Sequence, residues 1–265
     1  MSAEFDFELP EGLELGRVDG RLTLAGDGME LAADFRELLP RVRHDRLGRE
    51  LLVKAARVKG EAAPTAFDAT AGLGEDSLLL AAAGFSVTMC ESDPVIAALL
   101  ADALSRAAED PELAGIVARM TLVQGDSVEL LPRLASGAGC VGAGAGGAGG
   151  EGTAAGGAGD EGAAAGGASA TGALALAGSP DVVYLDPMFP ARTKSAAVKK
   201  KFQLLHRLET PCANEDELMA AALAAKPRKV VVKRPIKAPV LAGVRPSHSI
   251  QGKAVRYDVI VPPRG

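Results

Sequence analysis

The sequence predicts an α/β protein: a doubly wound, mostly parallel sheet with an antiparallel strand near the C-terminus, preceded by a small N-terminal α+β module. Three observations carry this expectation. From about residue 62, short apolar runs alternate with helical patterns. The first run, Thr65–Ala69, leads into the glycine turn Gly72-Leu73-Gly74, which opens a helix. A later apolar run, Val182–Leu185, ends abruptly in Asp186-Pro187. Strands alternating with helices form a parallel sheet covered on both faces, and such sheets bind ligands at the carboxyl ends of their strands.

Residues 1–60 read as the small module. Arg21–Leu24 and Met29–Ala33 flank Ala25-Gly26-Asp27-Gly28, a hairpin signal. Leu47 to Val58 has Leu51, Leu52, Ala55 and Val58 on one face and predicts a helix. The larger unit, 61–265, follows with strands expected at Thr65–Ala69, Ser86–Glu91, Met120–Gln124, Asp181–Asp186 and Lys229–Lys233. A helix through Leu78–Ala83 separates the first two. A second begins at Pro94, behind Ser92 or Asp93 as cap, and runs to about Ala108. Ser247–Gln251 and Val255–Val261 form a closing pair around Gly252-Lys253. Residues 137–177 are nearly all Gly and Ala, too poor in apolar surface to offset ordering entropy, and read as a flexible insertion.

The bulk numbers suit this plan. Hydrophobic residues are 48% of 265, which is enough for a sizeable core, and aromatics only 3%, so that core is aliphatic. Three widely spaced cysteines, Cys90, Cys140 and Cys212, fit neither a disulfide framework nor a zinc site. No signal-peptide pattern or long apolar run occurs, so a cytoplasmic protein without metal or membrane partner is expected. The net charge of −5 argues against a polyanionic partner, yet the bases are clustered: Arg41, Arg43, Arg46 and Arg49; Arg192, Lys194, Lys199, Lys200 and Lys201; and a third group around Lys233 and Arg234.

Four motifs fall in order at expected strand ends. The run 68–76 holds Gly72 and Gly74, where backbone amides can approach a ligand closely; a dinucleotide fingerprint would need glycine at position 77, where Ser77 stands. Glu91 ends the second strand, as an acid that holds ribose hydroxyls would. Gly125-Asp126-Ser127 follows the third and could hold an adenine amine. The fourth is Asp186-Pro187-Met188-Phe189-Pro190. Its prolines stiffen the loop and remove backbone donors, leaving carbonyls and the Asp186 carboxylate as acceptors for an exocyclic amine, with Phe189 as a stacking face. His44, His206 and His248 are scattered and form no metal-ligand pattern.

These residues resemble the ribosomal RNA small subunit methyltransferase J family. The resemblance lies in DATAGLGED at 68–76, ESDPVIAALLADAL at 91–104, VVYLDPMFPARTKSAAVKKK at 182–201 and RKVVVKRP at 228–235, with weaker likeness at 9–15 and 43–60. It implies a Rossmann-like, class I S-adenosylmethionine-dependent methyltransferase that acts on the exocyclic N2 of one guanosine in 16S rRNA or the small ribosomal subunit. It also implies S-adenosylmethionine contacts from Glu75, Asp76, Glu91, Ser92, Asp126, Ser127 and Asp186, joined to the glycines 72 and 74. Glu75, Ser92 and Asp126 stand where family members often carry Arg, Arg or Lys, and Ser.

On that reading Asp186, Pro187 and Phe189 form the transfer site. Arg192, Lys194, Lys199, Lys200, Lys201, Lys233 and Arg234 meet RNA phosphates, and the target base is unpaired or flipped out. Two other readings stay open: an amine methyltransferase acting on adenine in DNA or on a glutamine side chain, and a non-catalytic RNA-binding assembly factor of the same fold. A dehydrogenase is a more distant alternative.

Overall fold

The computed structural model describes residues 8–135, 178–187, 200–208 and 214–263; the Gly/Ala-rich run expected as an insertion lies outside them. The chain opens with an antiparallel meander, β1 (Leu13–Val18), β2 (Arg21–Gly26) and β3 (Met29–Leu31). Its two-residue turns, Asp19-Gly20 and Asp27-Gly28, have positive φ at both positions (49° and 77°; 52° and 69°), the backbone that matches strand twist in tight hairpins. β1 was not anticipated, because only Leu13 of its six residues is buried and little alternation shows.

Three short helices follow: α1 (Leu39–Val42), α2 (His44–Leu47) and α3 (Leu51–Ala56). The single helix expected over Leu47–Val58 is therefore interrupted. Gly48 ends one turn, Glu50 is extended (φ −61°, ψ 127°), and the helix restarts at Leu51. Glycine is a poor helix former, and the Glu50 carboxylate is gripped by both forks of Arg41 at 3.0 and 2.8 Å.

The remaining elements alternate: β4 (Thr65–Asp68), α4 (Glu75–Ala82), β5 (Ser86–Glu91), α5 (Pro94–Ala108), α6 (Ala114–Val117), β6 (Met120–Gln124), α7 (Ser127–Ala135), β7 (Val182–Leu185), α8 (Lys200–Leu208), α9 (Glu215–Ala224), β8 (Lys229–Pro235), β9 (His248–Gln251) and β10 (Val255–Ile260). The seven strands from β4 onward form one sheet in the order β6-β5-β4-β7-β8-β10-β9. Pairing is parallel from β6 to β8, whereas β10 runs antiparallel to both β8 and β9. The order reverses between β4 and β7, which leaves a crevice at their carboxyl ends.

Helices cover both faces. Ala66, Val87, Tyr184 and Val231 pack with Leu52, Leu78 and Leu100 on one side. Phe67, Val183, Leu185 and Val232 pack with Leu131, Leu218 and Met219 on the other. Pro94 sits in the first turn of α5, and Asp93 caps it by accepting the N–H groups of Val95 and Ile96 at 2.8 and 3.0 Å. The meander seals the outer side of α5, with Leu22, Leu24 and Leu31 against Ile96, Leu99 and Leu204 of α8. Burying each such leucine contributes roughly 1.5–3 kcal/mol. Asp102 pins the contact: it accepts Arg17 at 2.7 Å, Arg106 at 2.8 Å and the Leu22 N–H at 3.2 Å. No helix among the described residues is long and apolar enough to cross a membrane.

Candidate active site

The carboxyl ends of four strands are laced together beyond the sheet. Ala69 donates its N–H to the Tyr184 carbonyl at 3.0 Å, Ala71 to Cys90 at 3.1 Å and Gly125 to Glu91 at 2.9 Å. Asp186 donates its own N–H to Thr70 Oγ1 at 2.7 Å. The glycine turn between β4 and α4 is held from below by Asp68, which is 1% exposed. One of its oxygens accepts the Thr70 N–H at 3.1 Å and the other the Ser77 hydroxyl at 2.6 Å. Burial pushes the Asp68 carboxyl up to about 7, against the opposing pull of these two bonds.

Both glycines need their freedom. Gly72 and Gly74 have φ of 54° and 74°. A Cβ on Gly74 would come within 2.7 Å of Leu100, so this glycine lets α4 pack on α5. Gly72 borders the crevice instead, and its N–H is accepted by Glu91 Oε2 at 2.8 Å. Glu91 Oε1 accepts the Asp93 N–H at 2.9 Å. Glu91 is thus a buried, oriented acid with one further lone pair per oxygen. Burial raises its pKa, and the amides of Asp93 and Gly72 work against that rise.

A cavity of about 190 Å³ opens here, bounded by Thr70, Gly72, Glu91, Ser92, Asp126, Ser127, Asp186 and Pro187, with Cys90, Val128 and Leu218 as apolar wall. Among the described residues, three carboxylates and no lysine or arginine border it. That charge suits a ligand bearing hydroxyl and amine donors and a positive centre. It opposes the anionic pyrophosphate of a dinucleotide, which separates this site from the nicotinamide reading. The lining therefore fits S-adenosylmethionine, which offers ribose hydroxyls, an adenine amine, a sulfonium and an α-ammonium to acceptors, against a single carboxylate.

Behind Asp186 lies a charged bridge. Lys233 Nζ is 2.8 Å from Asp186 and 2.7 Å from Asp76, and Asp76 also accepts the Tyr184 hydroxyl at 2.6 Å. Burial disfavours the ammonium, but the two carboxylates outweigh it and hold its pKa above the ordinary lysine value. Burial raises the Asp186 carboxyl, and Lys233 counters that rise. Asp186 is left with one oxygen not engaged by Lys233.

Of the residues expected at the site, Gly72, Glu91, Ser92, Asp126, Ser127, Asp186 and Pro187 border one cavity. Gly74, Glu75 and Asp76 do not: Gly74 packs inward, Glu75 is exposed, and Asp76 turns to Lys233. Phe189, Arg192, Lys194 and Lys199 lie outside the described residues; Lys200 and Lys201 begin α8. The phosphate contact expected of Arg234 has no surface to work from. Its side chain is 1% exposed, donating to the Pro239 carbonyl at 3.0 Å and to Glu215 at 3.1 Å. Lys233 likewise spends its charge on Asp76 and Asp186. Residues the motifs did not single out are Asp68 and Thr70, which sit inside the 68–76 run, Tyr184, which sits inside the 182–201 run, and Leu218, which carries no local signal.

The strand order, the antiparallel β10 and an acid-lined cavity at the switch point define a class I methyltransferase fold. The family described as SAM-dependent methyltransferase matches residues 12–141 and 166–262. A protein of Rhodopseudomonas palustris (strain HaA2) named Ribosomal RNA small subunit methyltransferase J is 43% identical over 216 residues, covering 81% of this chain and 79% of its own. A protein of the same name from Thioalkalivibrio sulfidiphilus (strain HL-EbGR7) is 41% identical over 212 residues, 80% of this chain and 68% of its own. A crystal structure of a SAM-dependent methyltransferase from Neisseria gonorrhoeae superimposes with a TM-score of 0.66 at 31% identity, over 96% of this chain and 85% of that one. The chain belongs to the ribosomal RNA small subunit methyltransferase J family, within the SAM-dependent methyltransferases.

Proposed function

We propose that this protein transfers a methyl group from S-adenosylmethionine to the exocyclic N2 of one guanosine in 16S rRNA, with Asp186 and Pro187 forming the described part of the transfer site. The observation that carries the reading is the meeting of Asp186 with Glu91 and Asp126 around one cavity that no cation faces among the described residues. The relatives named Ribosomal RNA small subunit methyltransferase J support the choice of substrate class.

The cofactor supplies an electrophilic methyl on a sulfonium sulfur. Glu91 accepts its ribose hydroxyls, while Asp126 and Ser127 hold the adenine edge. Ser92 borders the same end. Asp186 accepts a proton-bearing edge of the target amine through the oxygen that Lys233 leaves open, and Thr70 fixes the loop by binding the Asp186 N–H. Pro187 has no N–H to compete for that oxygen. An aromatic amine needs orientation more than a base, since its proton becomes acidic as the new bond forms. Catalysis therefore rests on proximity and alignment. Phe189, the stacking face, and Arg192, Lys194, Lys199, Lys200 and Lys201, contacts to phosphates, complete the reading from their position in the chain after Asp186.

The test is incubation of the protein with methyl-labelled S-adenosylmethionine and small ribosomal subunits from a strain lacking the gene, followed by mass spectrometry of the rRNA. One N2-methylguanosine in 16S rRNA is the expected product. Label in DNA or protein and none in rRNA overturns the reading.

A further inference from the structure

The burial of Arg234 and the internal pairing of Lys233 remove two cations from any RNA face, and the α1–α3 segment offers three others. Arg43, Arg46 and Arg49 are all exposed, and no ion pair or side-chain hydrogen bond to another described residue holds any of them. Arg46 donates its N–H to the Arg43 carbonyl at 2.9 Å, and Arg49 to the Arg46 carbonyl at 2.8 Å. Arg43 is the extended residue that caps α2 (φ −57°, ψ 139°), Arg46 lies inside the helix and Arg49 follows its Gly48 cap, so three exposed guanidinium groups fall within one seven-residue stretch. Arg46 and Arg49 border one shallow hollow of about 370 Å³ with Asp45, Glu50 and Leu51. Glu50 is already neutralised by Arg41, which leaves Asp45 as the one uncompensated acid there.

The segment is tied to the active-site edge. α1 packs on α4, and the first turn of α4 carries Asp76, which binds Lys233 and through it Asp186. Arg41 is close enough to Asp76 to feel its charge. On the other side, Gly252 in the β9–β10 turn lies against Leu51, with exposed Lys253 next to it in the chain.

We propose that Arg43, Arg46 and Arg49 form an RNA phosphate-binding patch beside the transfer site, gripping the strand that flanks the target nucleotide. The proposal rests on the rRNA reading above and adds to it the surface by which the acidic protein holds a polyanion. Guanidinium forks match phosphate oxygens in pairs, and three exposed arginines clustered within seven residues offer several such forks to one strand.

The experiment compares the wild type with R43E/R46E/R49E and the milder R43Q/R46Q/R49Q, the second guarding against misfolding of the first. Dissociation constants for a 16S rRNA fragment are measured across a salt series, alongside S-adenosylhomocysteine affinity by calorimetry as a check of the folded cofactor site. The expected result is at least tenfold weaker RNA binding at low salt for either variant, with unchanged cofactor affinity. The slope of log K against log salt should flatten by about 2 to 3, since each lost phosphate contact removes about 0.7–0.9. Variants with wild-type RNA affinity and slope, in a wild type that methylates rRNA, overturn this inference alone and make the arginines a solvated face. A wild type that neither binds nor methylates rRNA overturns the proposed function along with it.

Discussion

Lys233 Nζ lies 2.8 Å from the carboxylate of Asp186 and holds it from behind while the other oxygen of Asp186 remains open. The same ammonium reaches Asp76 at 2.7 Å, so one cation serves two acids. Removing it leaves two carboxylates in a poorly solvated wall. Lys233→Met should destabilise the protein by about 3 kcal/mol, the low end for a broken buried pair because this one borders an open crevice. Urea unfolding reads that cost. Asp186 should also titrate higher without its counter-charge, so the acidic limb of the pH–rate profile moves to higher pH and lost activity returns as pH rises. Lys233→Arg keeps the charge and should leave the limb near its wild-type position. A limb that does not move in Lys233→Met separates Asp186 from the chemistry.

Asp186→Ala removes the acceptor itself. The drop in transfer rate should be about 100- to 1,000-fold, as for loss of one oriented polar group in a reacting site. RNA binding, which depends on cations elsewhere, should be largely retained. Single-turnover transfer and filter binding on the same preparations separate the two effects.

The fold was largely legible because each strand boundary carried its own mark. Ser86–Glu91 and Met120–Gln124 match their expected ranges, set off by Gly84 and Pro94 and by Gly125. Pro94 behind Asp93 announced α5. Several helices escaped, α7 and α9 the longest of those with a local reason. α7 contains Pro132, which argues locally against a helix. α9 did carry a start signal, Asn214 accepting the Glu217 N–H with three acids in the first turn, but its position after a long stretch without periodicity hid it. The site was legible as a set of strand ends, and the acids at 91, 126 and 186 do meet around one cavity. The orientation of Lys233 and Arg234 was not legible. β8 is buried on both faces at Val230, Val231 and Val232, so alternation cannot tell which way the next two side chains turn.

Glu91→Gln tests the ribose role. The carboxylate now accepts backbone amides at 2.8 and 2.9 Å, one through each oxygen; glutamine keeps an oxygen for one of them and turns an NH2 donor toward the other. Loss of a charged acceptor amounts to about 1.5–3 kcal/mol, or roughly 10- to 100-fold in affinity. Calorimetry with S-adenosylhomocysteine should show that loss, and unaltered affinity would remove Glu91 from the cofactor site.

The family match stops at residue 141 and resumes at 166. Residues 142–165 are Gly and Ala with Glu151, Asp160 and Glu161 as isolated charges and Thr153 besides, so they offer almost no apolar side chain larger than alanine. Their deletion should shift the melting temperature by no more than a degree or two and leave methyl transfer to rRNA within about twofold, because a run of this composition has little apolar surface to contribute to a core. A lower melting temperature together with lost transfer would give the run a structural role.

Asp68 links the glycine turn to pH. Its carboxyl is raised by burial from 3.8 to about 7, so between those values the folded protein holds a proton that the unfolded chain has released. Stability from this group is complete below about pH 4 and is lost as pH rises toward 7. Asp68→Asn carries no such proton and keeps one oxygen for the Thr70 amide. Plotted against pH, the stability of the wild type relative to Asp68→Asn should therefore fall between pH 4.5 and 7.5, by a total on the order of 4 kcal/mol. Urea midpoints across that range measure it. A difference that stays constant with pH means that Asp68 is ionised throughout and that the bonds from Ser77 and Thr70 outweigh its burial.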